Sequence, residues 1–495
     1  MDVYRGFGVI AVCLLSLVLG GYAGGEEVVL DAGTWEAVVP LRQELFSVAV
    51  GLQIAGVPQA DPQDNASLMK CLAEVASPVL RVPGGDSMNT WNWDTGGQDG
   101  KDRPGLGVSW WQALARRGGS VPLWGINVSA PPDVTERFAR RLRDSGDRGD
   151  CFELGNELYY DRWGIGIEQY LAKAQAHAAI LRKYFPHCKL GVPLASYPQW
   201  ATRKEGRFAL REPAELSPWI RALARAGFYD AVVLHLYTTP WDLGFLGKYT
   251  KDEVAHWGWT KADRSVVDAV FGLARRVAPG QRVWVTEWAF NASQYLQEGK
   301  GYPAERRWQV HQTMLAVLHD ARFLLNTAAG DNPVEIMTTW TLVDQPAVAL
   351  WKQSSGPTIR AALFCLLRRT REGNDGVRRF TAAGAPVWQG PAGTAFAQLA
   401  GPAVDVFAFS RGGRRTAVLV LNPLGIPVQI AAHLVPSPAG AQALTGDSLL
   451  PGWGEADNPL PKDWAPPYRY ENLTVTGAGV TVPPCSLTLI RGTGL

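Results

Sequence analysis

Two glutamates stand at the ends of β-type runs, Glu157 in Phe152-Glu153-Leu154-Gly155-Asn156-Glu157 and Glu287 in Val283-Trp284-Val285-Thr286-Glu287. Cleavage of an acetal near neutral pH needs two such carboxyl groups: one protonates the departing oxygen, and the other, ionised, attacks or stabilises the sugar cation. Either residue alone could equally cap a helix or pair with a surface lysine. The pair matters only if the fold brings the two together.

The chain has the composition of an ordinary globular enzyme, with 46% hydrophobic residues, 19% charged residues and a net charge of +2 over 495 residues. Nothing in it suggests disorder. The length suits a barrel of roughly 250 residues or more with an accessory domain. Lysine and arginine are scattered without long runs, which argues against a nucleic-acid partner.

Residues 1–24 read as a signal peptide, with Arg5, an apolar run from Phe7 to Leu19 and small residues around Gly20 to Gly25. No later stretch reaches about 20 apolar residues, so the expectation is a secreted or periplasmic protein with no membrane contact beyond the export signal. An uncleaved anchor is the other reading. Loss of the leader leaves Cys71, Cys151, Cys188, Cys365 and Cys485, an odd set in which at least one thiol stays free or pairs between chains. No Cys-x-x-Cys or His-x-x-x-His spacing points to a metal, and no cofactor is implied. Asn65, Asn127, Asn291 and Asn472 head Asn-x-Ser/Thr triplets, and a glycan on Asn291 would crowd the region of Glu287.

The middle of the chain alternates short apolar runs with helix-type segments, the pattern of β/α units around a parallel barrel. Eight strands are expected: Phe46–Gly51, Val79–Pro83, Pro122–Asn127, Cys151–Leu154, Lys189–Pro193, Ala231–His235, Arg282–Thr286 and Val334–Thr339. Helices are expected over Ala66–Ala76, Ile167–Phe185 and Arg264–Val277. Beyond Phe380 the runs shorten, with Gly and Pro between them (Val404–Phe409, Thr416–Leu421, Pro427–Ala431, Val480–Ile490), as in an antiparallel β-sandwich. The fold class is therefore α/β, a (β/α)8 TIM barrel over residues 45–375 with a C-terminal sandwich over 376–495. A strand near Glu27–Asp31, within a segment 25–44, joins the sandwich.

A barrel of this kind builds its site at the C-terminal strand ends. Those ends carry Arg81-Val82-Pro83-Gly84-Gly85-Asp86 on strand two, Gly155-Asn156-Glu157 on strand four, His235-Leu236-Tyr237 on strand six, Glu287-Trp288 on strand seven and Trp340 beyond strand eight. Arg81 and Tyr237 are placed to donate hydrogen bonds that keep Glu287 ionised, and Trp340 to floor the −1 subsite. Strand alternation turns Glu153 away from Asn156, toward a structural salt bridge.

With these motifs the chain resembles the clan A glycoside hydrolases, most closely the α-L-arabinofuranosidase-type families whose second strand ends in Arg-x-Pro-Gly-Gly. The resemblance spans the barrel and the β-domain, and the Gly-Asn-Glu run is informative because a second Glu follows strand seven, 287 − 157 = 130 residues later. It implies Glu157 as general acid/base, Glu287 as nucleophile and retention of configuration. It also implies that Asn156 grips the sugar's 2-hydroxyl and that His235 lies near the acid/base. The acid is then expected to hold its proton at neutral pH.

Tryptophan is abundant, 20 of 495 residues, and several follow strand ends: Trp91, Trp93, Trp163, Trp241, Trp257, Trp259, Trp288 and Trp351. Trp91 and Trp93 follow the Pro-Gly-Gly loop and are expected to stack on sugar. Gly84 and Gly85 are expected to let backbone approach it. The chain departs from the arabinofuranosidase pattern at Asp86, where asparagine is usual, and this acid opposes uronic acids by charge repulsion. A carbohydrate is the expected partner. Three readings stay open: a retaining arabinofuranosidase-like hydrolase, an endo-acting glucanase or xylanase of the same clan, and a non-catalytic sugar-binding barrel.

Overall fold

The computed structural model describes residues 28–57, 61–97, 106–196, 201–204, 207–210, 216–238, 259, 261–290, 313–343, 348–383, 386–389, 400–435, 438–446 and 468–492. The segment 1–24 expected to be a leader, Trp241, Trp257 and Asn291 lie outside these residues. Eight parallel strands close a barrel: β1 (Ser47–Gly51), β2 (Val79–Gly84), β3 (Val121–Ile126), β4 (Cys151–Leu154), β5 (Lys189–Ser196), β6 (Ala231–Thr238), β7 (Arg282–Phe290) and β8 (Val334–Thr339). They run in chain order, with β8 pairing back to β1 through Thr338 opposite Ser47. All eight expected strands form, and β6 and β7 continue three and four residues further than their apolar runs suggested. Pairing holds those extensions in place: His235 lies opposite Glu287 and Tyr237 opposite Ala289, after a register shift at Leu234.

Helices α1 (Ala66–Val75), α2 (Val108–Gly118), α3 (Pro132–Asp144), α4 (Ile167–Tyr184), α5 (Pro218–Leu223), α6 (Arg264–Val277), α7 (Met314–Ala328) and α8 (Ile359–Arg371) surround the barrel. Their boundaries follow local chemistry. Asn65 accepts a hydrogen bond from the Leu68 amide and starts α1, which buries Leu68, Cys71, Leu72 and Val75 at helical spacing. Asp263 does the same for α6 through Ser265. None of the described helices is long and apolar enough to cross a membrane.

The C-terminal region forms two facing sheets. The larger orders Gly33–Trp35, Gly376–Ala382, Asp405–Arg411, Arg414–Asn422, Ser486–Gly492, Pro438–Gly446 and Tyr468–Leu473; the smaller orders Val28–Leu30, Val428–Ala431, Gly479–Val482 and Val475–Thr476. The expected N-terminal strand therefore joins the smaller sheet, parallel to Val428–Ala431. The single run expected over Val480–Ile490 is instead two strands in different sheets, divided at Pro483 and Pro484, which lack amide hydrogens, and at Cys485 with φ +45°. Along the larger sheet Val406, Val418 and Val420 pack toward the smaller sheet, while Phe407, Phe409, Leu419 and Leu421 join the core shared with the barrel helices. Both faces of these strands are buried.

Among the described residues Cys71, Cys151, Cys188 and Cys365 are free thiols, and burial pushes that of Cys151 up to about 12, so it is not a ready nucleophile.

Candidate active site

The strand ends converge as a barrel requires, and a single buried guanidinium organises them. Arg81 on β2 is fully buried and donates through Nε and Nη2 to the two oxygens of Glu153 on β4, both at 2.7 Å. Nη1 reaches Glu287 Oε1 at 2.8 Å, and Nη2 also reaches Asn156 Oδ1 at 2.8 Å. Burial disfavours this cation, yet Glu153 and Glu287 beside it raise its pKa above the ordinary arginine value. Glu153 thus takes the structural salt bridge that strand alternation assigned to it, and Arg81 serves both that bridge and Glu287.

Glu287, 6% exposed, accepts at its other oxygen from the Tyr237 hydroxyl at 2.7 Å. Burial and the Glu287 charge push the Tyr237 pKa well up, so the phenol remains a donor. One donor on each oxygen suits an anionic carboxylate. Glu157 sits across the mouth, where one of its oxygens, one of Glu287 and a ring nitrogen of His235 all lie within 4.8 Å of one another. Among the described residues this trio is also the group spaced to hold a cation, but hydrogen bonds already engage Nδ1 and both Glu287 oxygens.

The turn that presents Glu157 is costly and specific. Gly155 has φ +88°, and a Cβ there would stand 2.4 Å from Leu158 Cδ1. Glu157 itself has φ +46°, a left-handed conformation that costs a side-chain-bearing residue roughly 1–2 kcal/mol. Asn89 holds the turn from the neighbouring loop: its Oδ1 accepts from the Asn156 amide at 2.8 Å and its Nδ2 donates to the Asn156 carbonyl at 2.7 Å.

His235 joins the two carboxylate systems. Nδ1 meets Glu157 Oε1 at 2.9 Å, and Nε2 meets Thr286 Oγ1 at 3.1 Å. The Thr286 hydroxyl gives its hydrogen to Glu153 Oε1 at 3.3 Å, so Nε2 must be the donor toward Thr286. The remaining ring proton then lies on the line between Nδ1 and Glu157. Burial lowers the His235 pKa, but Glu287 and Glu157 outweigh it and raise it. Burial raises that of Glu157, but His235, Arg162 and Tyr159 outweigh it and lower it. Each group thus favours the charged form of the other across the Nδ1–Oε1 hydrogen bond. The sequence could not show this histidine at hydrogen-bond distance from Glu157 and backed by Thr286.

Further expectations change. Trp91 is 5% exposed, packed edge-on against Phe138 of α3 with ring centroids 6.1 Å apart, and belongs to the core rather than to an open sugar platform. Gly84 and Gly85 make room for Trp340: a Cβ on either would lie 2.7 Å from its indole. Trp340 is buried there with Ala49, Ala289 and Val348, against Tyr237, at the base of the mouth. Asn156 engages its amide at both ends, its oxygen with Arg81 and its nitrogen with Asp86 Oδ1 at 3.0 Å. Asp86 Oδ1 also accepts from Arg162 Nη2 at 2.9 Å, and this offsets the charge on which the argument against uronic acids rested. Sequence reasoning missed Asn89, Arg162 and Thr286. The one available signal was position, since Thr286 precedes Glu287 and Arg162 follows Glu157 by five residues.

No known family profile matches the chain, and no curated protein matches it in sequence. Solved structures do resemble it. A GH51 arabinofuranosidase from Xanthomonas axonopodis pv. citri superposes with a TM-score of 0.64 at 16% identity, covering 93% of this chain and 99% of that one. A family 51 α-L-arabinofuranosidase from Bifidobacterium longum gives 0.65 at 14% identity, over 92% and 97%. A bifunctional glucanase-xylanase from a metagenome library gives 0.56 at 13% identity, over 94% and 98%. The likeness establishes the fold, a TIM barrel with a C-terminal β-sandwich.

Proposed function

We propose that this chain is a retaining glycoside hydrolase with Glu287 as nucleophile and Glu157 as general acid/base. The observation that carries this reading is the pair of carboxylates, with oxygens within 4.8 Å, on the ends of β4 and β7. That close approach suits a double displacement, for which the carboxyl groups stand roughly 5–5.5 Å apart, better than the wider pair of an inverting site. In the first step Glu287 attacks the anomeric carbon as the glycosidic C–O bond breaks, and the proton shared by His235 and Glu157 passes through Glu157 to the leaving oxygen. In the second, Glu157 takes a proton from water, the water oxygen attacks the anomeric carbon and the glycosyl–Glu287 bond breaks. Arg81 and Tyr237 stabilise Glu287 as it departs, and the remaining Asn156 N–H is the group for the sugar's 2-hydroxyl.

The likeness to arabinofuranosidases supports an arabinofuranosyl or similar sugar at the −1 position, released from polysaccharide or oligosaccharide. Export by the leader at residues 1–24 fits such a substrate. The test is a panel of aryl glycosides (arabinofuranoside, xyloside, glucoside, galactoside, glucuronide) and soluble glucan and xylan, with wild type and Glu287→Gln. Turnover of one aryl glycoside that the variant loses supports the reading and names the sugar. Turnover only of polymer supports the endo-acting alternative. No turnover of any substrate overturns the hydrolase reading in favour of a sugar-binding barrel.

A further inference from the structure

Arg162 lies in a short 3-10 turn, Asp161–Trp163, just beyond Glu157. One nitrogen, Nη2, donates to Asp86 Oδ1 at 2.9 Å and to Glu157 Oε2 at 3.1 Å. The guanidinium lies over the rings of Tyr160 and Trp163, 5.1 and 5.4 Å from their centroids, which holds it in place although its side chain is 52% exposed. It therefore ties the loop after β2 to the turn after β4, on the side of Glu157 opposite His235. Asp86 completes the device: its Oδ1 serves Arg162 and Asn156 together.

We infer that Arg162 is a positioning residue which, through the Asp86 clip, sets the pH above which the acid/base carboxyl ceases to act as an acid. The inference rests on the hydrolase reading above. The charged and titratable groups around Glu157, among the described residues, are His235 and Tyr237 from β6, Glu287 from β7, Asp86 after β2, and Tyr159 and Arg162 after β4; Arg81 reaches it only through Asn156 and Glu287. Of these, Arg162 is the half-exposed cation. It favours the ionised form of Glu157, whereas the charge of Asp86 opposes that form. A sugar hydroxyl taken up by Asp86 competes with Arg162 for the same oxygen, so binding at that carboxylate and protonation of Glu157 are linked.

The two substitutions have opposite signs. Arg162→Met moves the basic limb of the kcat/KM profile to higher pH, so that one pH unit above the wild-type midpoint the variant retains about two to three times more of its maximal rate, the size expected of a half-exposed ion pair. Asp86→Asn moves that limb to lower pH, and Arg162→Lys restores most of the wild-type position. Salt moves the wild-type limb upward and leaves that of Arg162→Met in place, because screening acts on the pair that the variant lacks. In parallel, 13C NMR of glutamate-labelled protein follows the Glu157 carboxyl directly, identified by its absence from Glu157→Gln. A higher midpoint in Arg162→Met supports the inference, and an unchanged midpoint and limb overturn it. Absence of turnover in wild type would sink the hydrolase reading alone, since the carboxyl titration still decides the role of Arg162.

Discussion

Two arginine–carboxylate clusters differ in balance and in burial: the one at the seam is buried, and the one at the barrel mouth is half-open at Arg162 and Asp86. At the barrel mouth, Arg81 and Arg162 face four carboxylates, Asp86, Glu153, Glu157 and Glu287. At the seam with the sandwich, Arg322 of α7 and Arg379 of the larger sheet face two, Asp263 and Asp405. The seam is balanced. Arg322 donates to Asp405 at 2.6 Å, to Asp263 at 2.8 Å and to the Trp259 carbonyl at 2.6 Å, while Arg379 binds the other Asp405 oxygen at 2.6 Å. With charges matched, nothing there needs to gain or lose a proton near neutral pH. The mouth carries an excess of carboxylate, which a proton on His235 only partly offsets. The same residue types therefore bind the domains together in one place and hold a mobile proton in the other.

The largest expected effect separates the clusters outright. Glu287→Gln lowers kcat/KM by at least about a thousandfold, the scale of losing a covalent nucleophile, and leaves thermal unfolding near that of wild type because Arg81 keeps Glu153. Asp405→Asn does the reverse. It leaves buried Arg379 without a paired carboxylate and Arg322 with Asp263 alone, and costs about 3–5 kcal/mol by chemical denaturation, with kcat/KM of the folded fraction unchanged. If Asp405→Asn reduced turnover without reducing stability, the division between the clusters would be wrong.

A pH series sharpens the comparison. Burial raises the pKa of Asp405, but Arg322 and Arg379 outweigh it and lower it; at Asp320, Arg360 and His319 do the same. A depressed carboxylate pKa contributes stability that is complete above the unfolded-state value and is lost as pH falls through the folded one. The melting temperature should therefore fall below about pH 4, and fall less steeply in Asp405→Asn, as calorimetry would show. The smallest effect is expected at Thr286→Val, which removes the acceptor for His235 Nε2 and the donor to Glu153. It should lower kcat by about tenfold or less and cost about 1–2 kcal/mol, because one buried hydrogen-bond relay is lost and not the carboxylates. A wild-type pH profile in this variant would show that the relay does not hold the imidazole.

The barrel was legible because its strands are apolar on both faces and stand out as short runs between amphipathic helices. Cys151–Leu154 and Val334–Thr339 match to the residue. The ends of β6 and β7 ran on past their apolar runs because pairing of His235 with Glu287, rather than composition, sustains them. The split of Val480–Ile490 was hidden since both halves are apolar, although Pro483 and Pro484 between them were a signal.

Glu157, Glu287, Arg81 and Tyr237 could be nominated from sequence because β/α topology sends every strand end to one face, so residue type and position along a strand suffice. Roles that depend on distance across the mouth could not be read this way. That Trp340 fills the space above Gly84 and Gly85, that Trp91 turns into the core, and that Asn89 brackets Asn156 follow from packing between loops far apart in the chain. The sequence by itself determined the barrel, its sandwich and the carboxylates at the strand ends, since period and composition act locally. Only the tertiary structure decided which groups tune Glu157, because that depends on His235, Arg162 and Thr286 reaching Glu157 and Glu153 through space at hydrogen-bond distance.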